Sequence, residues 1–107
     1  MKPIVDEIAK RLRDDLTENM EDFECLYVFG SQARGDATED SDVDIVVVLG
    51  NEYFRWPEAY HDVISQIDYD YFGVVDIDIH KKTWESLKRN PIFYNEVVNK
   101  GVYYGRV

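Results

Sequence analysis

A single cysteine, three prolines and no long apolar run leave this chain of 107 residues few special devices for holding itself together. One thiol, Cys25, excludes an intramolecular disulfide and a cysteine-based zinc site, and its place at the start of an apolar run marks it as core. Basic residues are also scarce: 12 Lys and Arg stand against 22 Asp and Glu, a formal net charge of -10. With no Lys/Arg-rich stretch to offset that charge, the surface repels phosphate backbones, which argues against free DNA or RNA as the main ligand. A protein partner with a basic surface is more compatible. No stretch is long enough to span a bilayer, and residues from Lys2 onward carry mixed charge with no apolar targeting segment. The expectation is a soluble, cytoplasmic protein without membrane contact. Repeats, low-complexity tracts and linkers are missing too, so residues 1–107 read as a single domain. Hydrophobic residues at 45% are enough to fold it.

What is present is strongly patterned. Ile4, Ile8, Leu12 and Leu16, widened by Val5 and Ala9, predict an amphipathic helix over Lys2–Met20, with Pro3 in its first turn. Cys25–Phe29 and Val43–Leu49 read as buried strands. Pro57 opens a second long helix whose apolar positions are Ala59, Tyr60, Val63, Ile64 and Ile67, ending near Gly73. Val74–His80 predicts a third strand. Thr83 caps a short helix, Trp84–Lys88, and Asn90-Pro91 opens another from Pro91 to Lys100, stopped by Gly101. Val102–Tyr104 fits a short edge strand. Trp56, Tyr103 and Tyr104 are candidates for a partner surface, with burial the default for each. Strands alternating with helices make this an α/β domain.

The chemistry concentrates in Gly30 to Val48, GSQARGDATEDSDVDIVVV. Asp42 and Asp44 enter the second strand at i and i+2, which puts two carboxylates on one face a few ångströms apart. A divalent cation makes that repulsive pair favourable, and oxygen-only ligands suit Mg²⁺ or Mn²⁺. On the other side of the loop, Gly30 allows close backbone approach, Ser31 offers a hydroxyl and an N–H at the start of a short helix, and Arg34 adds a permanent cation. Together they form a seat for phosphate oxygens. Asp36, Glu39 and Asp40 read as solvated loop charge, and Ser41 as a stabiliser of the loop before Asp42. In the third strand Asp76, Asp78 and His80 share one face. His61 lies off its helix stripe and His80 at the strand end, and neither is assigned chemistry.

Gly30-Ser31, ten residues, then Asp42-x-Asp44 resembles the signature of the DNA polymerase β-type nucleotidyltransferase superfamily. Within it, GSQARG followed by SDVDIVVV looks like the minimal nucleotidyltransferase (MNT) proteins, and the resemblance extends over essentially the whole chain. It implies a mixed β-sheet packed with helices. It implies ATP as substrate, with Gly30, Ser31 and Arg34 holding phosphates and Asp42 and Asp44 binding Mg²⁺ or Mn²⁺. A third carboxylate comes from the neighbouring strand: Asp76, nearer the strand start, is favoured, with Asp78 as the alternative. Larger relatives carry a second domain for the acceptor, so here a partner or another copy of the chain is expected to supply it. MNT proteins often pair with HEPN-domain toxins and there transfer AMP to a tyrosine of the toxin, so the resemblance makes an antitoxin with a HEPN partner the leading expectation. The alternatives are a non-catalytic nucleotide-binding module that inhibits by occlusion, or a small-molecule nucleotidyltransferase working as a homo-oligomer.

Overall fold

The structure, a computed structural model, describes residues 1–53 and 55–107. In chain order it contains α1 (Pro3–Asn19), β1 (Phe23–Phe29), α2 (Ser31–Arg34), β2 (Val43–Leu49), α3 (Glu58–Asp70), β3 (Ile77–Lys82), α4 (Trp84–Lys88), α5 (Pro91–Tyr94) and β4 (Val102–Gly105). A π-helical segment, Asn95–Asn99, continues α5. The four strands form one mixed sheet in the order β3-β2-β1-β4. β1 runs antiparallel to both β2 and β4, whereas β2 and β3 are parallel. Among the described residues no helix is long and apolar enough to cross a membrane.

Strand alternation gives the sheet two buried faces, each with its own cluster. On one face Leu26, Val28, Val43, Ile45 and Val47 pack against Val5, Ile8, Leu12 and Leu16 of α1 and Tyr60, Val63 and Ile67 of α3. On the other, Cys25, Tyr27, Phe29, Val46 and Val48 meet Leu87 of α4, Val97 of the π-helical segment, and Phe93 of α5. Each fully buried aliphatic side chain here contributes roughly 1.5–3 kcal/mol relative to exposure. Thr83 and Asn90 cap as their positions suggested, accepting from the backbone N–H groups of Ser86 and Phe93. Cys25 is buried, and burial pushes its thiol up to about 12. Tyr104 is buried and donates to Asp6 at 2.7 Å, Trp56 is half-buried, and only Tyr103 of that trio is largely exposed.

Two strand starts moved. β1 starts at Phe23, two residues before the expected Cys25. β3 starts at Ile77 rather than Val74, because the amides of Val74 and Val75 bond back to the carbonyl of Tyr71 in a turn through Gly73. The strand instead continues through Lys81 and Lys82. That shift decides which acids of β3 lie within the sheet.

Candidate active site

The site forms where the start of β2, the start of β3 and the end of β1 meet, on the sheet face that carries α4 and α5. β1 ends at Phe29, opposite Asp44 in the antiparallel register. Gly30 then turns the chain with φ 74° and ψ -148°, a conformation open to little but glycine. Its bareness serves a second purpose: a Cβ there would lie 2.8 Å from Asp44 Oδ2. The turn is pressed against the carboxylate. α2 follows at once, with the amide of Arg34 bonded to the Gly30 carbonyl at 3.0 Å and Gly35 closing the helix at φ 83°.

Asp44 is half-buried, and the parallel register of β2 and β3 sets it beside Asp78. Two residues further on, His80 falls on the same face, with Nε2 3.3 Å from Asp78 Oδ2. One donor atom each from Asp44, Asp78 and His80 lie within 4.8 Å of one another. Burial holds the Asp44 carboxyl above its ordinary pKa, and the charges of Asp78 and Asp42 push the same way, against the milder pull of His80 and Arg34. Among the described residues no Lys or Arg pairs with Asp44 within 4 Å. A half-buried carboxylate crowded by two others, without a paired cation, fits a divalent ion through its donor set.

The other expected residues fall nearby in different arrangements. Asp42 and Asp76 each precede their strand by one residue and are joined through the backbone, the Val43 amide donating to the Asp76 carbonyl at 2.8 Å. Both are exposed and line a cleft of about 410 Å³ with Glu39, Asp40, Ser41 and Gly73–Val75. The carboxylate drawn up to Asp44 is therefore that of Asp78, whereas Asp76 sits with Asp42 at the cleft wall. Ser31 opens α2, half-buried. Arg34 is not a free cation: its Nη1 donates to Glu96 at 2.8 Å and its Nε to Asp36 at 3.3 Å. Those bonds commit two of the guanidinium's five N–H donors. Ser41 ties the loop, its hydroxyl accepting from the Thr38 amide at 2.8 Å.

The sequence pattern of the nucleotidyltransferase domain family matches residues 5–104. The chain belongs to that family. A protein of Methanocaldococcus jannaschii named as a candidate protein adenylyltransferase is 30% identical over 98 residues, covering 90% of this chain and 94% of the relative. A second M. jannaschii protein so named is 29% identical over 76 residues, or 71% of this chain and 72% of that one. Among solved structures, a toxin–antitoxin crystal structure with AMP-PNP superimposes with a TM-score of 0.62 at 20% identity, over 91% of this chain and 73% of that one. A chain from the complex of tri-AMPylated Shewanella oneidensis HEPN toxin with MNT antitoxin gives 0.55 at 20% identity, over 94% and 69%. At that identity the likeness establishes the fold: this nucleotidyltransferase shares the mixed-sheet architecture of those proteins.

One member of the cluster carries no motif. His80 is reached only through the β2–β3 register and strand alternation, and its position two residues after Asp78 was the available signal. Gln32 is another unmotivated placement, a buried amide whose Oε1 has no hydrogen-bond partner among the described residues.

Proposed function

We propose that this nucleotidyltransferase transfers AMP from ATP to a hydroxyl of a HEPN-type protein partner, and so acts as an antitoxin in the cytoplasm. The observation that carries the reading is the half-buried Asp44, packed against the Gly30 turn on one side and in register with Asp78 on the other. Such a centre suits a nucleotide phosphate chain held beside acidic residues. The protein adenylyltransferase relatives and the solved complex of AMPylated HEPN toxin with MNT antitoxin support the choice of AMP and of a HEPN acceptor.

In this reading Gly30 and Ser31 face the phosphates: Gly30 has no Cβ and lets the turn close on Asp44, and Ser31 follows it as the first residue of α2. Arg34, anchored by Glu96 and Asp36, keeps three N–H donors for phosphate oxygens. Asp44 and Asp78 would hold Mg²⁺ or a related divalent ion, and Asp42 and Asp76 line the neighbouring cleft. A divalent ion bound there would supply charge neutralisation for the leaving pyrophosphate and would acidify the acceptor hydroxyl. The acceptor oxygen bonds to the α-phosphorus as the bond from phosphorus to the bridging β-phosphate oxygen breaks. Pyrophosphate departs and the hydroxyl proton passes to solvent at the open cleft.

The test is intact-mass measurement of a HEPN partner incubated with this protein, divalent cation and each nucleoside triphosphate in turn. The expected result is a mass gain of one or more AMP units with ATP, absent with Asp44→Asn. A stable complex with no mass gain under any nucleotide defeats the transferase reading and leaves inhibition by occlusion.

A further inference from the structure

We propose that His80 is a nitrogen ligand of the divalent cation and biases the site towards Mn²⁺ over Mg²⁺; this rests on the metal-dependent reading above. The placement follows from the backbone. β3 runs on past Asp78, so alternation returns His80 to the face shared by Asp44 and Asp78. The imidazole does not hang on its contact with Asp78 alone. Its ring packs against Phe29 at 5.8 Å and Phe93 at 6.3 Å between centroids, and those two rings pack edge-on to each other at 5.5 Å. Packing from β1 and α5 thus sets the ring plane, while Nε2 points to the acidic side at 3.3 Å from Asp78 Oδ2. The side chain keeps 39% of its surface open, so the nitrogen remains accessible.

The donor spacing suits coordination. Donors about 2.1 Å from a common octahedral cation lie roughly 3–4 Å from one another, so a set already within 4.8 Å closes with small side-chain rotations. Two carboxylates and one imidazole differ from an all-oxygen set in kind. Mg²⁺ favours oxygen and holds its waters, whereas a nitrogen donor shifts preference to first-row transition ions. The alternative is that His80 merely hydrogen-bonds Asp78 at the surface. In that case the cation site would be indifferent to its removal.

The two readings separate by spectroscopy on the whole protein with Mn²⁺ as the probe. Electron spin-echo measurements detect modulation from an imidazole nitrogen bonded directly to Mn²⁺. His61, the other of the chain's two histidines, is exposed on α3 and outside the cluster, so it serves as an internal control. The expected result is nitrogen modulation in the wild type and in His61→Gln, and its loss in His80→Gln. His80→Gln should also weaken Mn²⁺ by about tenfold or more, as loss of even an outer partner of a metal site does, with Mg²⁺ affinity little changed. His80→Asn, a second variant, guards against misfolding of the first. Mn²⁺ bound without nitrogen modulation, or with unchanged affinity in a folded His80→Gln, overturns the assignment of His80 and leaves metal-dependent transfer standing. Failure of the wild type to bind any divalent ion, with or without ATP, overturns both.

Discussion

Replacing Gly30 by alanine tests the central geometry of the site, because it adds one carbon at the point where the turn meets Asp44. The new Cβ would lie 2.8 Å from Asp44 Oδ2, closer than carbon and oxygen approach without bonding. The backbone conformation, φ 74° and ψ -148°, costs a non-glycine residue of order 1–3 kcal/mol by itself. Relief requires the carboxylate to swing out of line with Asp78. We expect a loss of roughly 2 kcal/mol, which for a domain of this size lowers Tm by about 8–16 °C. Gly35→Ala supplies the control. Gly35 also has positive φ, 83°, but a Cβ there meets nothing within 4 Å. It should cost about 1–2 kcal/mol of backbone strain alone. Urea denaturation without metal measures both stabilities, and Mn²⁺ titration measures the consequence at the site. Both variants should be destabilised, and only Gly30→Ala should lose Mn²⁺ affinity. A Gly30→Ala protein that binds Mn²⁺ like the wild type, or keeps its stability within about 0.5 kcal/mol, would refute the contact between turn and carboxylate.

Three further outcomes follow from the same structure. The raised pKa of Asp44, due first to burial and then to Asp78 and Asp42, means the folded state holds a proton that the unfolded chain has already released. Stability of the metal-free protein should therefore fall as pH rises through that carboxyl's titration. In Asp44→Asn this segment of the urea-midpoint profile should vanish, leaving a metal-free protein at least as stable as the wild type at neutral pH but without stabilisation by Mn²⁺. A less stable variant would mean Asp44 is structural. Arg106 reaches from the chain end to three carbonyls near the close of α1, donating to Met20, Phe23 and Thr17 at 2.8, 3.0 and 3.1 Å. Arg106→Ala should cost about 2 kcal/mol in urea denaturation, and a change within about 0.5 kcal/mol would show that water replaces those bonds at no loss. Leu12, fully buried between α1 and the sheet, should cost about 2–5 kcal/mol as Leu12→Ala while leaving Mn²⁺ affinity of the folded fraction intact. Loss of affinity in folded protein would show that the site depends on that face of the core.

Most elements were legible because their signals are local. The stripe from Ile8 to Leu16, Pro3 at the start of α1, the Thr83 and Asn90 caps and the apolar run Val43–Leu49 each specify a conformation from a few neighbouring residues. The spacing of Gly30-Ser31, ten residues, then Asp42-x-Asp44 likewise pointed to the family, since that pattern lies within the continuous β1–α2–β2 segment. The partners of Asp44 lay beyond local reach. Asp76 and Asp78 have the same parity and the same flanking pattern, so only the pairing of β3 with β2 distinguishes them. That pairing depends on a turn at Gly73 that consumes the amides of Val74 and Val75. Arg34 was equally undetermined, because its partner Glu96 lies 62 residues away. His80 gains its place from Phe29 and Phe93, on two other elements. The sequence by itself determined the elements, the family and the pool of acids, because those rest on periodicity and spacing along the chain. Only the tertiary structure decided which side chains meet at Asp44, because strand register and packing across the sheet are relations between segments that no single stretch contains.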